Sequence, residues 1–191
     1  MRSYNYNQKL YEDGGELAHR TIFHAAQEMK SYVKGRVLDL GAGQGHLTEF
    51  FTDKAVCLEF SDYNLKKLMK KGFITVKHDL DEPLPFEDGS FDTVFLTDVL
   101  EHVERPSFVL KESYRVLSSG GRLLLSVPDL KTKVQPQHLN YYTTNSLIAQ
   151  LRWAGFNRFK TVYNGVLWSW TGKNPLLNRL LNKGIYMVAF K

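Results

Sequence analysis

Four short, nearly continuous apolar runs lie between residues 37 and 127. They are VLDL (37–40), AVCLEF (55–60), TVFLTDV (93–99) and RLLLSV (122–127). Strands that are buried on both faces have this pattern, so the runs predict a parallel sheet covered by helices. FITVKHDL (73–80) is a further candidate strand.

Segments with helical spacing alternate with these runs. ELAHRTIFHAAQEMKSYVK (16–34) places apolar residues at helical intervals, and Gly35 is typical of a helix end. DYNLKKLMKKG (62–72) ends on a glycine, while PSFVLKESYRVLSSGG (106–121) begins at a proline and ends on two glycines. The alternation predicts an α/β, Rossmann-like doubly wound fold with a mostly parallel sheet of about seven strands.

The C-terminal part of the chain follows a different pattern. TTNSLIAQLRWAGF (143–156) predicts one more helix, with Thr144 or Asn145 as its cap. RFKTVYNGV (158–166) and GIYMVAF (184–190) predict two strands that pair in antiparallel fashion at one edge of the sheet.

Length and composition limit the class of protein. The 191 residues fit one domain, 43% of them are hydrophobic and 24% are charged, as in globular proteins. A single cysteine excludes an intrachain disulfide and a cysteine-based zinc site. Without an apolar run that resembles a signal peptide or a membrane span, the chain is predicted to be cytoplasmic. We divide it into an N-terminal helical segment (1–34), a core (35–129) and a basic C-terminal part (130–191).

The net charge of +5 hides an asymmetry between the two ends of the chain. All 20 acidic residues lie at or before Asp129, whereas residues 130–191 carry nine Lys or Arg. The first part therefore has 16 − 20 = −4 charges and the last part has +9. Such a segment of one sign is informative about partners and not about the fold.

The stretch LDLGAGQGHL (38–47) follows the first predicted strand and predicts a nucleotide-binding turn. Its glycines, Gly41, Gly43 and Gly45, have the spacing G-x-G-x-G, which is one residue shorter than the dinucleotide fingerprint. The carboxylate of Asp39 would repel a pyrophosphate and favour a cationic ligand. S-adenosylmethionine is a nucleoside of this kind, because it carries a sulfonium and an ammonium.

Acidic residues also end the next two predicted strands. Glu59 ends the second strand, where a carboxylate suits the two hydroxyls of a ribose. Asp79 and Leu80 end the third, where the carboxylate can accept from an adenine amino group while the leucine packs on the ring. The three strand ends together favour one adenosine-containing ligand.

These segments, together with TDVLEHV and YRVLSSGGRLLLSVPD, resemble the class I S-adenosylmethionine-dependent methyltransferases. The resemblance is closest to the type 11 group, which includes the ubiquinone and menaquinone biosynthesis methyltransferases, and it extends from about Gly35 to Asp129. It implies methyl transfer from S-adenosylmethionine to a small-molecule or lipid-linked acceptor. The cofactor contacts that it implies are Asp39, Gly41, Ala42, Gly43 and Gly45 at the methionine end, Glu59 at the ribose, Phe60, Asp79 and Leu80 at the adenine, and Asp98 and Val99 beside the methyl group.

The candidate groups on the acceptor side are less specific. His102, in TDVLEHV, is the best candidate for a general base, although a capping or packing role is equally compatible with its position. His138, Tyr141 and Tyr142 would line an acceptor pocket, or would belong to an ordinary loop that enters a helix. The spacing of the histidines predicts no metal site.

Tryptophans, leucines and cations alternate in LWSWTGKNPLLNRLL (167–181), which favours peripheral contact with a membrane surface. Alternative roles of this segment are to cover the sheet edge, to form a dimer contact or to bind an anionic saccharide. Nucleic acid is a disfavoured partner, because no recognisable nucleic-acid-binding module is present. The oligomeric state stays open. Two other functions also remain: a non-catalytic S-adenosylmethionine-binding subunit and a NAD-dependent oxidoreductase.

Overall fold

A seven-stranded sheet organises the described part of the protein. The computed structural model describes residues 25–130, 135–162 and 184–191. The strands are β1 Val37–Leu40, β2 Val56–Glu59, β3 Ile74–Lys77, β4 Phe91–Thr97, β5 Leu117–Pro128, β6 Arg158–Val162 and β7 Gly184–Phe190. Their order across the sheet is β3, β2, β1, β4, β5, β7, β6.

The helices described are α1 at residues 25–30, α2 His46–Phe51, α3 Asp62–Lys70, α4 Pro106–Val116 and α5 Thr144–Ala154. The sheet is parallel from β3 to β5, and β7 runs antiparallel to both β5 and β6. This confirms the predicted antiparallel pair at one edge. The predicted excursion at 167–181 lies outside the described residues.

Alternate residues of β1 pack into two separate hydrophobic clusters. Leu38 and Leu40 belong to a cluster that includes residues of α4 and α5. Val37 belongs to a second cluster that includes residues of α1, α2 and α3. Because successive strand residues point to opposite faces, helices cover the sheet on both sides. The predicted doubly wound α/β fold is therefore confirmed.

Two predicted helix ends are wrong. The helical conformation of α1 stops at residue 30, and Gly35 lies in the turn that leads into β1 with a φ of +55°. A Cβ at Gly35 would lie 2.0 Å from Asp92 Oδ2, so close packing explains this glycine better than a helix stop. Likewise α4 ends at Val116, and Gly120 and Gly121 lie inside β5. They fall where the pairing of β4 with β5 shifts register, an irregularity that glycine accommodates.

Local signals set the other boundaries. The cap of α5 is Thr143, one residue before the predicted positions, and its hydroxyl accepts from Ser146 N at 3.1 Å. β3 ends at Lys77, so Asp79 and Leu80 lie in the loop that follows and not in the strand. β4 ends at Thr97, which places Asp98 and Val99 just beyond it.

Candidate functional site

The site lies at the switch point of the sheet, where the strand order reverses. β2 and β3 follow β1 on one side, and β4 and β5 lie on its other side. β1 pairs with β2 on one side and with β4 on the other, and all three strands are parallel. Ligands bind at such a switch point, beyond the carboxyl ends of the strands. The loops after β1, β2, β4 and β5 therefore reach the same region.

The glycine turn after β1 needs its glycines for two different reasons. Gly41, Gly43 and Gly45 have φ values of +73°, +55° and +76°, in the left-handed region that favours glycine. A Cβ at Gly41 would lie 2.7 Å from Val99 Cγ2, whereas a Cβ at Gly43 would meet nothing within 4 Å. Gly41 thus permits packing inside the protein, and Gly43 faces open space.

The carboxylate of Glu59 holds this turn against the start of α3. Its Oε2 accepts from Gly43 N at 2.8 Å, and its Oε1 accepts from Phe60 N at 2.9 Å and Ser61 N at 2.8 Å. The turn is held further by Leu58, whose carbonyl accepts from Gly41 N at 2.9 Å and from the next residue. The position of Gly43 therefore depends on a side chain at the end of the neighbouring strand.

Asp39 lies beneath the turn and is almost inaccessible to solvent, with 2% of its surface exposed. Thr48 Oγ1, in α2, donates to Asp39 Oδ2 at 2.6 Å, while Oδ1 has no hydrogen-bond partner within the described residues. Burial raises the pKa of Asp39 to about 7; the Thr48 hydrogen bond lowers it, and the nearby Glu59 raises it further. At neutral pH this carboxyl group is poised between its neutral and charged forms.

The residues predicted at the adenine end are partly open to solvent. Phe60 is 46% exposed, Asp79 is exposed and Leu80 is half-buried, packed against the larger hydrophobic cluster. Asp79 Oδ1 accepts from Asp81 N at 3.0 Å. His78 N donates to the Glu59 carbonyl at 3.2 Å, so the loop after β3 presents an acidic and an apolar side chain beside the end of β2.

Asp98 has a left-handed conformation, with a φ of +53°, and no other described non-glycine residue has a positive φ. Its backbone N–H donates to the Ser126 carbonyl at 2.9 Å, and Ser126 Oγ lies 3.0 Å from Asp98 Oδ1. An unusual backbone conformation held by the neighbouring strand is common at functional sites. It turns the chain sharply after β4 and presents Val99 to Gly41.

Three polar side chains, those of Glu101, His102 and His138, lie together in the loops that follow β4 and β5. His102 Nε2 lies 3.9 Å from Glu101 Oε1, and the rings of His102 and His138 are 5.1 Å apart between centroids. Burial lowers the pKa of His102 more than its contact with the Gln137 carbonyl raises it, and His138 adds to the lowering. Burial and Asp98 hold the pKa of Glu101 well above its usual range.

The two predicted tyrosines occupy different surroundings. Tyr141 is 42% exposed, and its ring lies 6.4 Å from that of His138. Tyr142 is 1% exposed and belongs to the core, where its hydroxyl donates to the Leu100 carbonyl at 3.3 Å. Tyr141 therefore lies beside the candidate site, whereas Tyr142 supports it from beneath.

Two further residues at the site have no signal in the sequence pattern. Thr48 becomes relevant only because α2 brings its hydroxyl to Asp39, and Gln137 because its backbone carbonyl reaches His102 at 3.3 Å. Thr48 belongs to no motif, and Gln137 begins the stretch QHLNYYTTNS (137–146) but acts through its backbone carbonyl, which no motif specifies. A hydroxyl in a short helix and a backbone carbonyl in a loop are common features, so only the tertiary structure identifies them.

Comparison with known proteins matches the middle of the chain to one family. Residues 38–125 match the methyltransferase domain family. The chain is 28% identical over 161 residues to a protein of Methanocaldococcus jannaschii, covering 78% of this chain and 76% of that one. It is 34% identical over 130 residues to a demethylmenaquinone methyltransferase of Paenarthrobacter aurescens, covering 65% of this chain and 49% of that enzyme.

The fold also matches a solved structure over its full length. An S-adenosylmethionine-dependent methyltransferase of Thermotoga maritima superimposes with a TM-score of 0.77 at 22% identity, covering 100% of this chain and 99% of that one. At this identity the likeness concerns the fold. Among the described helices, none is long and apolar enough to cross a membrane.

Proposed function

We propose that this chain, whose residues 38–125 match the methyltransferase domain family, transfers a methyl group from S-adenosylmethionine to a small, lipid-like acceptor. The quinone-modifying relative supports the lipid-like class of acceptor. The observation that carries the proposal is the glycine turn, whose backbone is held by Glu59 and underlain by Asp39 rather than arranged for a pyrophosphate.

The residues around the turn fit the methyl donor. The open space at Gly43 admits a ligand close to the backbone, and the unpartnered Oδ1 of Asp39 supplies negative charge for its cationic methionine end. Gly41, Ala42 and Gly45 would complete this end of the site. Electrostatic attraction in a buried place is stronger than at the surface, because water screens it less.

The other assigned contacts follow the adenosine outward. Glu59 would bind the ribose hydroxyls through Oε2, which accepts from one backbone N–H and keeps a second lone pair, whereas Oε1 already accepts from two. Phe60, Asp79 and Leu80 would contact the adenine. Asp98 and Val99 would lie beside the methyl group, at the boundary between donor and acceptor.

The donor supplies a methyl group already activated on a sulfonium, so the protein chiefly provides proximity and orientation. A base is required only for an acceptor that keeps its proton at neutral pH. His102 would accept such a proton, since burial favours its neutral form. His138 and Tyr141 would contact the acceptor.

Calorimetry with S-adenosylhomocysteine and with NAD, followed by turnover with short-chain quinols, tests the proposal. We expect tight binding of S-adenosylhomocysteine, binding at least tenfold weaker for Glu59→Ala, and unchanged binding for Asp53→Ala, a control at an exposed carboxylate. Binding of NAD without S-adenosylhomocysteine would overturn the proposal in favour of an oxidoreductase. Donor binding without methyl transfer to any quinol would favour the non-catalytic subunit.

A further inference from the structure

Two loops bring three metal-binding side chains together. Glu101 and His102 follow β4, and His138 follows β5. One ligand atom from each lies within 4.8 Å of the other two, and His102 Nε2 lies 3.9 Å from Glu101 Oε1. Ligands bound at about 2 Å from one ion are separated by up to about 4 Å, so a small side-chain adjustment would let all three share an ion.

The carboxylate of Glu101 lacks the partner that a buried charge requires. The residue is 2% exposed, and its Oε2 has no hydrogen-bond partner within the described residues. A buried carboxylate is strongly destabilising unless it is protonated, paired or bound to a metal.

The imidazole of His102 is oriented as a metal ligand usually is. Its Nδ1 lies 3.3 Å from the Gln137 carbonyl, which fixes the proton on that nitrogen and leaves Nε2 free to bind on the side of Glu101. Metal-binding histidines commonly donate their second N–H to a backbone carbonyl in this manner. Gln137 directly precedes His138, so the loop after β5 both orients the imidazole of His102 and supplies that of His138.

Backbone hydrogen bonds hold the two loops in register. Leu139 N and Asn140 N donate to the Glu101 carbonyl at 2.7 and 3.2 Å. Asn140 Nδ2 donates to the carbonyls of Leu100 at 3.0 Å and Val103 at 2.7 Å. The three side chains are therefore presented from a fixed backbone, as a preorganised metal site requires.

We propose that Glu101, His102 and His138 bind one divalent transition-metal ion, such as Zn²⁺ or Co²⁺. Two imidazoles and one carboxylate are typical ligands of these ions, whereas Ca²⁺ and Mg²⁺ favour oxygen ligands alone. Three protein ligands leave coordination positions open.

The consequence for catalysis rests on the proposed function. An open position next to Asp98 and Tyr141 would bind an oxygen of the acceptor and lower the pKa of its hydroxyl, as metal ions do with bound water. The bound ion would then activate the hydroxyl of the acceptor. His102 would act as a metal ligand in that state, and its role as a general base would apply only to the metal-free protein.

Equilibrium dialysis of the tag-free, chelator-stripped full chain against Zn²⁺ tests the site directly. We expect one Zn²⁺ per chain, with affinity at least tenfold weaker in Glu101→Gln and in His138→Ala. His78→Ala is the matched control, because His78 lies outside the cluster, and it should retain the parent affinity. Addition of acetohydroxamate to the Co²⁺-loaded chain should change its visible spectrum through the open positions.

Substoichiometric Zn²⁺ binding, or equal affinity in His138→Ala and the parent chain, would overturn the metal site. An unchanged spectrum with acetohydroxamate would overturn the open positions. Binding of S-adenosylhomocysteine by His138→Ala reports that the variant is folded. Because Zn²⁺ binding does not require the methyl donor, loss of donor binding in the parent chain would refute the proposed function and leave the metal result interpretable.

Discussion

At the scale of single residues, Asp39 links protonation to both stability and ligand binding. Its pKa rises from 3.8 in the unfolded chain to about 7 in the folded protein. Between these values the folded state holds a proton that the unfolded state has lost, so stability falls as pH rises from about 4 to 7 and is then constant. A cationic ligand favours the charged form and should displace the proton.

We therefore expect Asp39→Asn to have opposite effects on stability and on donor binding. The difference between 3.8 and about 7 corresponds to at most about 4 kcal/mol, so the variant should be more stable than the parent above pH 7 and equal to it below pH 4. Its affinity for S-adenosylmethionine should fall at least tenfold. Urea unfolding across pH and calorimetry measure the two effects.

Calorimetry in buffers with different ionisation enthalpies provides the control. At pH 6.5 the parent chain should release a proton when S-adenosylmethionine binds, and Asp39→Asn should not. An Asn variant that is less stable than the parent at pH 8, with unchanged proton release, would contradict this account of Asp39.

The sequence predicts the position of Asp39 but not its environment. The carboxylate precedes a glycine turn at the end of a buried strand, and that pattern is visible without a structure. Its partner Thr48 and its unpartnered Oδ1 depend on how α2 packs, which no local pattern encodes. Tyr142 is similar: the sequence places it near the acceptor, and only the packing reveals that it belongs to the core.

At the scale of elements, two glycines of the turn between β1 and α2 have different roles, because Gly41 permits internal packing and Gly43 is assigned to ligand binding. A side chain in the left-handed region is unfavourable by about 1–2 kcal/mol wherever it occurs. At Gly41 the added Cβ would also press on Val99, whereas at Gly43 it would point into open space. The two alanine variants therefore share the backbone penalty, and only Gly41→Ala adds a close contact inside the protein.

We expect Gly41→Ala to destabilise the protein by a further 1–3 kcal/mol, roughly the effect of overpacking a core, relative to Gly43→Ala. Gly43→Ala should instead weaken binding of S-adenosylhomocysteine at least tenfold, because its methyl group would occupy the space assigned to the ligand. Chemical unfolding and calorimetry of both variants test this. Equal stabilities, or normal binding by Gly43→Ala, would contradict the assignment.

Most elements follow from their own sequence, and the errors occur where distant residues decide. Thr143, Ser61 and Pro106 mark helix starts by local chemistry. Gly35 and the pair Gly120 and Gly121 resemble helix stops, yet the first is required by the side chain of Asp92 and the others by a register shift in the sheet. A glycine required by tertiary packing cannot be told from a helix stop by local sequence.

At the scale of the whole molecule, the charge asymmetry should govern contact with membranes. The basic residues after Asp129 have no acidic neighbours in sequence, and three of them, Lys173, Arg179 and Lys183, accompany tryptophans and leucines. Each cation near an anionic membrane contributes about 1 kcal/mol, and salt screens the attraction.

We expect the chain to sediment with phosphatidylserine vesicles at low salt and to be released as salt is raised. Replacement of Lys173, Arg179 and Lys183 by Gln should weaken binding about a hundredfold, corresponding to about 3 kcal/mol. The matched control replaces three exposed cations of α3, Lys66, Lys67 and Lys70. Absence of sedimentation at low salt, or equal loss in both triple variants, would exclude the membrane contact.

The insertion of β7 between β5 and β6 has a consequence for the order of events during synthesis. Within the sheet, β6 pairs with β7 and with no other described strand, so it emerges from the ribosome before the strand to which it must bind. Until β7 arrives, the long apolar strand β5 also keeps an open edge, of the kind that promotes aggregation. A chain interrupted before residue 184 would expose that edge permanently, so chaperone protection should matter most between the synthesis of β6 and that of β7.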